Sequence, residues 1–144
     1  MKGVYPMQNN NKKQWNEGLA DHRLKETFGD EYVDYLLKTD KLVYNDYIAK
    51  IKEYVSRIRN NVTSSQLRNV FLRVKKAGTC EELLLLRPKI AYVGGRSDSY
   101  DLKTFVFLLD RLIENLDNDK DKMIQFQSFF EAVIAYHKYY GGKE

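Results

Sequence analysis

The feature that most constrains the fold is a series of apolar stripes at helical spacing, each bounded by residues that typically begin or end helices. In the first stripe, apolar side chains recur in alternating steps of three and four from Ile48 to Val62. Such spacing places them on one face of an α-helix, because a helix turns by about 100° per residue. The stripe therefore predicts an amphipathic helix with one buried face.

The second stripe lies between two signals for helix ends. Thr63 is followed three residues later by Gln66, which is the pattern of a capping box, and Gly78 suits a helix terminus. Four apolar residues continue the helical period between these signals: Leu67, Val70, Phe71 and Val74. Residues 63–78 are therefore predicted to form a short helix with both ends marked.

The third apolar segment begins after a second capping-box pattern, at residues 79–82. Pro88 has no N–H to donate, so we expect this helix to end near Arg87. A turn or a second short helix over residues 89–93 should follow, and the Gly-Gly pair at 94–95 should close it.

Two longer stripes complete the pattern. One begins at Ser97 or Ser99 and runs to Leu116, and the other begins near Asp119 after a polar turn. A shorter helix is predicted over Asp30–Lys38. No segment shows the period-two alternation of a β-strand. The fold class is therefore predicted to be all-α, a compact bundle of about five helices with short connections.

The length of 144 residues suits one domain with a core of its own. Residues 1–28 begin with a run rich in Asn, Lys and Gln, and they are expected to form a mobile N-terminal arm. Residues 29–144 are expected to form a single helical-bundle domain. The lone Cys80 permits no internal disulfide, and no apolar run is long enough to span a bilayer. We therefore expect a cytoplasmic protein without membrane contact.

Residues available for catalysis are few. His22 and His137 are the only histidines, and each is interpreted as a surface or packing residue. Cys80 is interpreted as a small buried hydrophobe. The glycine pair fits neither phosphate-loop pattern, and the acidic turn near residue 119 lacks the glycine and glutamate of a calcium loop. We predict no catalytic residue, no metal site and no cofactor, and we do not expect an enzyme.

The distribution of charge is more informative than the formal net charge of +4. Residues 45–103 hold 12 basic and 6 acidic side chains, whereas residues 1–44 hold 7 of each and residues 104–144 hold 5 basic and 7 acidic. The helix over residues 63–78 carries four cations and no carboxylate: Arg68, Arg73, Lys75 and Lys76. Without the i,i+4 partners that surface helices usually provide, an external anion such as a phosphate would explain this imbalance.

Two pairs of basic residues are spaced seven apart on predicted helices, Arg68 with Lys75 and Lys52 with Arg59. The members of each pair share one side of their helix, beside the apolar stripe. Arg73 points about 140° away from Arg68 and is assigned to a protein neighbour or to solvent. Further candidates for phosphate contact cluster around the proline and the glycine pair: Arg87, Lys89 and Arg96.

Two segments in this order resemble a known family. They are VTSSQLRNVFLRVKK, residues 62–76, and LLLLRPKIAYVGGR, residues 83–96. Together they are similar to the small subunit of type III-A CRISPR effector complexes, which pairs a Thr-Ser-x-Gln-Leu-Arg helix with a Leu-(Arg/Lys)-Pro-(Lys)-(Ile/Leu)-Ala-Tyr-x-x-Gly-Arg segment. The resemblance spans roughly residues 45–140 and leaves the N-terminal arm outside.

The resemblance implies a non-catalytic helical protein of an antiviral ribonucleoprotein. Members of that family stack in several copies beside the crRNA and its paired target RNA, next to the backbone and large subunits, and contact RNA backbone without reading sequence. Cleavage belongs to other subunits. On this chain, the motif arginines Arg68 and Arg96 become the first candidates for RNA contact, and the weaker ones are Lys75, Lys76, Arg87 and Lys89. Three other motif residues are expected to serve the fold as cap, core and helix end: Gln66, Tyr92 and Gly94.

Two other functions stay open on the sequence alone. The helix over residues 63–78 would be the recognition element of a helix-turn-helix DNA-binding regulator, although the turn before it lacks the usual glycine. Alternatively, the charges would meet acidic protein surfaces in a structural interaction bundle. Sequence-dependent binding to duplex DNA would favour the regulator, and weak, sequence-indifferent binding to RNA would favour the complex subunit.

Overall fold

The computed structural model describes residues 14–144, and all of the regular structure in that range is helical. Seven helices follow one another: α1 (Glu17–Phe28), α2 (Tyr32–Leu36), α3 (Tyr44–Ile58), α4 (Ser64–Lys76), α5 (Cys80–Gly95), α6 (Tyr100–Glu114) and α7 (Lys120–Tyr139). The predicted all-α class is confirmed for these residues, but the expected number of about five helices is too low. Among these helices, none is long and apolar enough to cross a membrane.

Helix α1 lies within residues 1–28, the expected mobile arm. Its N-terminus is capped by the Asn16 side chain, which accepts a hydrogen bond from the Leu19 N–H, and its Leu24 and Phe28 are buried in the core. Few of its residues are apolar, so the sequence pattern is weak, yet packing against α6 stabilises the helix. Residues 17–28 are therefore a packed helix and not an arm. Residues 1–13 lie outside the described residues, and a single domain beyond residue 29 stays a prediction.

Helix α6 forms the centre of the bundle. Eight of its 15 residues are buried, and it contacts α1, α2, α5 and α7. The Phe105 ring lies against Tyr54 of α3 and Phe130 of α7, at centroid distances of 6.2 and 5.3 Å. Large aromatic side chains bury more apolar area than any others, so these contacts contribute strongly to the core.

The order of helices on one side of the bundle positions the candidate site. Helix α7 packs on both α3 and α4, whereas contact between α3 and α4 themselves is at most minor. Helix α5 packs against α4 and along α6. The order across this side is therefore α3, α7, α4 and α5.

Helix α5 continues through Pro88, which corrects the expected helix end near Arg87. Pro88 cannot donate to the carbonyl of Leu84, but Leu84 lies on the solvent side of the helix, where water can hydrate that carbonyl. Packing along α6 holds both halves of α5 in line, and a Cβ atom at Gly94 would lie only 3.1 Å from Val106 Cγ1. The helix ends at the glycine pair, as predicted.

The capping box predicted at the start of α4 is confirmed. Thr63 Oγ1 accepts the Gln66 N–H at 3.0 Å, and Gln66 Oε1 accepts the Thr63 N–H at 2.9 Å. The helix ends at Lys76, two residues earlier than Gly78. The Gly78 N–H instead donates to the Glu82 carboxylate at 2.6 Å, so this glycine belongs to the start of α5.

The residues after α7 fold back on the turn between α3 and α4. The Lys143 N–H donates to the Arg59 carbonyl at 2.9 Å, and the Lys143 carbonyl accepts the Ser64 N–H at 2.8 Å. The buried His137 lies at the same turn, with Nε2 2.7 Å from the Val62 carbonyl and Nδ1 3.3 Å from Ser64 Oγ. Because a carbonyl only accepts, Nε2 carries a proton in this bond. These bonds fix the start of α4 relative to α3 and α7.

Candidate nucleic-acid interface

The basic pair on α3 points toward α7. Lys52 Nζ lies 5.4 Å from the ring centroid of Tyr136, a residue of α7. Arg59 follows seven residues later, immediately after α3, on the same side of the helix. The opposite flank of α3 faces α1, because Arg57 Nη1 donates to Thr27 Oγ1 at 3.3 Å. Lys52 and Arg59 therefore border α7.

The basic pair on α4 borders α7 from the other side. Phe71 of α4 packs on Phe130 of α7 with a centroid distance of 5.3 Å, which identifies the flank of α4 that faces α7. Around the axis of α4, Arg68 lies about 60° from Phe71 and Lys75 about 40° from it. Both basic side chains are exposed. They reach solvent along the edge of α4 next to α7.

The surface between the two pairs is the outer side of α7, here called the α7 face. Its residues are all exposed: Ile124, Ser128, Glu131, Ala135, Lys138 and Tyr139. Within residues 14–144, no ion pair is formed by the four basic residues at its edges, Lys52, Arg59, Arg68 and Lys75. Unpaired cations along both edges, with one carboxylate between them, make this surface attractive to phosphate.

Arg96 lies on the other side of α4, in the groove between α4 and α5. This α4–α5 groove has a volume of about 230 Å³ and is lined by Gln66, Asn69, Val93, Arg96 and Ser97. Arg68 lies about 200° around α4 from Gln66 and about 100° from Asn69, so it does not face the groove. The two motif arginines, each expected as a candidate for RNA contact, lie on different sides of α4.

Two other cations of α4 share the groove side with Arg96. Arg73 lies about 20° from Gln66 around the helix axis, and Lys76 lies about 20° from Asn69. Both are exposed. The positive charge of α4 is thus divided, with one pair of cations on each flank.

Tyr92 was expected in the core and is instead 66% exposed. It lies on the outer side of α5, and the Arg96 guanidinium is 5.7 Å from its ring centroid. The Arg-Tyr contact holds this arginine near the rim of the groove. Lys89 is also exposed on α5, and no residue of 14–144 forms an ion pair with it.

The Arg87 side chain is bonded within the fold. Its Nε donates to Asp110 Oδ1 at 2.7 Å and its Nη2 to Asp110 Oδ2 at 3.1 Å, and Glu114 lies 4.0 Å away. The hydrogen bonds that Arg87 donates to Asp110 raise the pKa of its guanidinium further above the ordinary value. With its charge already neutralised, this side chain is a poor candidate for an RNA contact in this arrangement.

Three tyrosines form a cluster at the end of α7 that was not predicted from the sequence. Tyr136, Tyr139 and Tyr140 contact one another with centroid distances of 5.4–6.5 Å, and Tyr139 is 78% exposed. Their spacing of three and four on a predicted helix was the available signal. Because Lys52 lies over Tyr136, the cluster places a cation beside three aromatic rings, of which Tyr139 is exposed.

The side chains considered for catalysis lie apart from this surface or are occupied. His22 is exposed on α1 with Nε2 3.4 Å from Glu26, and His137 is buried. Cys80 is buried, and desolvation, together with the charge of Asp119, raises the pKa of its thiol. Residues 14–144 contain no group of three His, Cys, Asp or Glu side chains placed to hold a metal ion.

Comparison with known proteins identifies the family. Residues 40–143 match the family described as Csm2 Type III-A. The matched range contains α3, α4 and α7, which form the α7 face and its edges, and α5, which carries the second motif. No curated protein and no solved structure matches the chain. Because the match covers most of its length, the chain belongs to the Csm2 family, the small subunit of the type III-A CRISPR effector complex.

Proposed function

We propose that the chain is a non-catalytic, cytoplasmic subunit that binds RNA backbone in the type III-A effector complex. Several copies stack along the crRNA and its paired target RNA, next to the backbone and large subunits, and support antiviral defence by holding the captured RNA. The observation that carries this proposal is the α7 face, which two pairs of unpaired basic residues border from opposite sides.

The geometry of the pairs suits backbone contact. Residues seven apart on a helix are separated by about 10 Å along its axis, so each pair provides two separate points for phosphate oxygens. Lysine and arginine side chains that meet phosphates fix the position of a strand without reading its bases. The exposed Tyr139 adds a ring that any base can stack on. Binding through this surface is therefore indifferent to sequence.

The strength of binding follows from the number of contacts. Four phosphate contacts per copy give a slope of about −2.8 in log K against log salt, at about −0.7 per phosphate for single strands. A single copy therefore binds weakly and releases RNA readily as salt rises. Several copies on one RNA convert later contacts into intramolecular ones, which raises the overall affinity.

The placement of the potential nucleophile and bases supports a non-catalytic role. A nucleophile needs an adjacent base with a free lone pair, but both ring nitrogens of His137 are engaged at the α3–α4 turn. The raised pKa of the Cys80 thiol keeps it protonated, and a protonated thiol is a poor nucleophile.

A helix-turn-helix regulator is less well supported by this arrangement. A recognition helix presents its exposed side to the major groove, and the exposed side of α4 carries the apolar Leu72 near its middle. Its cations are also divided between two flanks and cannot all meet one groove. Duplex DNA is nevertheless a useful probe, because a regulator would prefer it to RNA and would discriminate among sequences.

The test measures RNA binding by variants of the 144-residue chain, using fluorescence anisotropy with a labelled single-stranded RNA at low salt. The variants K52A/R59A and R68A/K75A each remove one edge of the α7 face. The matched control is K50A/R57A, which removes a lysine and an arginine from the other flank of α3, where both are ion-paired. We expect each edge variant to weaken binding about tenfold and the control to change it less than about twofold.

Equal losses in the control and the edge variants would mean that net charge alone drives binding, and would refute the α7 face as the contact. Preference for one duplex DNA sequence would support the regulator instead.

Purification of the tagged chain from its native host provides the second test. Recovery of crRNA with other effector subunits is expected, and their absence would contradict the proposed assembly.

A further inference from the structure

Helix α5 is apolar on the side that faces solvent as well as on the side that faces the core. It packs on α4 and α6 only, among the described helices with substantial contacts. Its outer side, here called the α5 face, carries six exposed residues of low polarity: Leu84, Leu85, Pro88, Ala91, Tyr92 and Gly95. Leu85 is 71% exposed. A helix that is apolar all round is typical of one that is covered all round, so this face fits a protein partner.

Charge is unevenly distributed along the α5 face. Glu81 lies at its N-terminal end, Lys89 at the middle and Arg96 at the C-terminal end. Across residues 14–144, none of the three takes part in an ion pair. With an acid at one end and a base at the other, the face is complementary to a second copy of itself that runs in the opposite direction.

We propose that two copies of this chain pair through their α5 faces, with the two helices antiparallel about a twofold axis midway between Pro88 and Lys89. Positions 85 and 92 lie equally far from that point, as do positions 81 and 96. One register therefore sets Leu85 of each copy against Tyr92 of the other, and Glu81 of each copy against Arg96 of the other. The apolar pairs lie in the middle, and the ion pairs lie at both ends.

The antiparallel direction follows from the charges. A parallel pair would set Glu81 against Glu81 and Arg96 against Arg96, and like charges opposite each other are unfavourable. The helix dipoles also favour the antiparallel direction. Of the three charged residues on the α5 face, only Lys89 lies near the same residue of the other copy. It is about 60° from Tyr92 around the helix axis, and its flexible stem can carry the ammonium group into solvent.

The size of the contact predicts a weak dimer. One helix face is smaller than the roughly 800 Å² per partner of a standard interface, so a dissociation constant in the micromolar range is expected. A twofold contact closes at two copies, and it therefore differs from the repeated contact of a stack. It also leaves the α7 face uncovered. The dimer and the proposed RNA contacts use different surfaces, so failure of one proposal would not imply failure of the other.

The first test is sedimentation velocity of the full chain without RNA, over a range of micromolar concentrations. Wild type should show a reversible monomer–dimer equilibrium. L85S removes two leucine side chains per dimer and should raise the dissociation constant about 100-fold. E81R and R96E should each raise it about tenfold, and the double variant E81R/R96E should restore it to within about threefold of wild type. Circular dichroism checks that each variant keeps its helices.

The second test addresses the register. P88C should form a disulfide-linked dimer under mild oxidation, because position 88 of one copy lies next to position 88 of the other at the twofold axis. E131C, on the exposed α7 face, is the control and should cross-link much less. Wild type that stays monomeric at every concentration would overturn the proposal and leave the α5 face to another subunit. Failure of the double charge reversal to restore pairing, or equal cross-linking of both cysteine variants, would overturn the antiparallel register.

Discussion

The side chain of Arg87 forms a two-point ion pair with Asp110, which joins α5 to α6 immediately before Pro88. The two hydrogen bonds measure 2.7 and 3.1 Å, and both side chains are about one-third exposed. This geometry uses the planar fork of arginine, because a lysine ammonium has one nitrogen and cannot donate two parallel bonds from separate nitrogens. The motif arginine before the proline therefore supports the helix that runs through it.

The first prediction concerns this ion pair. R87A should lower the free energy of unfolding by about 1 kcal/mol, since a partly exposed pair is weakened by solvent. R87K should lose most of the same energy. Urea unfolding measures both effects. RNA affinity of the folded variants should stay within about twofold of wild type, and a large loss of RNA affinity with unchanged stability would contradict the structural role.

The second prediction concerns the close approach of α5 and α6 at Gly94. A Cβ atom there would lie 3.1–3.3 Å from three atoms of Val106. Overpacking at this site should cost about 1–2 kcal/mol, because Val106 Cβ is one of the crowded atoms and rotation of the valine cannot clear it. The higher helix propensity of alanine offsets up to about 1 kcal/mol, so G94A should be destabilising by less than the full cost of overpacking. The double variant G94A/V106A should show a coupling energy of about 1 kcal/mol in urea unfolding, because removal of the valine methyl groups relieves the contact. Simple additivity of the two changes would contradict this account.

The third prediction concerns the C-terminal tail. A Cβ atom at Gly142 would overlap the ring of His137, and that ring is held by the Val62 carbonyl and Ser64. G142A should therefore cost about 2 kcal/mol, seen as a lower midpoint of thermal unfolding. K143A is the matched control in the same tail, because only the backbone of Lys143 bonds to the turn. If K143A lowered the midpoint as much as G142A, the loss of stability would come from any change in the tail and not from the contact between Gly142 and His137.

Features set by short-range spacing could be predicted from the sequence. The capping box of Thr63 and Gln66 and the N-cap at Ser99, whose hydroxyl accepts the Leu102 N–H at 3.1 Å, depend on residues three apart. The apolar stripes of α3, α4 and α6 follow in the same way. Helix α1 could not be predicted, because its few apolar residues are stabilised by helices that are distant along the chain, above all α6 and also α3 and α7.

The arrangement of the candidate site depends on tertiary neighbours. The sequence indicated which cations share one side of a helix, and Lys52 with Arg59 and Arg68 with Lys75 are placed accordingly. It did not indicate that α7 lies between α3 and α4, so the meeting of these two pairs at one surface could not be foreseen. Arg68 and Arg96 were named together because both belong to the family motifs, and the sequence did not indicate that they lie on different sides of α4.

The fourth prediction concerns pH. The Asp21 carboxylate accepts a hydrogen bond from the Tyr32 hydroxyl at 2.7 Å and lies 3.1 Å from Lys25 Nζ. The bond from Tyr32, followed by the effects of Lys25 and Arg111, lowers the pKa of Asp21 below its ordinary value. A carboxyl group with a lowered folded pKa stabilises the protein above the unfolded pKa of about 3.9 and loses that effect as pH falls through the folded pKa.

D21N should therefore be less stable than wild type at neutral pH, by about 1 kcal/mol for this partly exposed group. The difference should shrink as pH falls below about 4 and vanish once Asp21 is protonated in both states. Urea unfolding of both proteins from pH 7 to the most acidic pH at which they fold measures the trend. A difference that stays constant with pH would mean that shape and hydrogen bonding, and not charge, account for it.

The final prediction uses salt to separate phosphate contacts from other causes of weak binding. Each lost contact to a single-stranded RNA should reduce the slope of log K against log salt by about 0.7. R68A/K75A should therefore bind with a slope about 1.4 lower than wild type, and K50A/R57A should keep the wild-type slope. Anisotropy titrations at several salt concentrations provide the slopes. Weaker binding by R68A/K75A with an unchanged slope would mean that the pair shapes the surface without meeting phosphates, because only lost ion contacts change the number of counterions released.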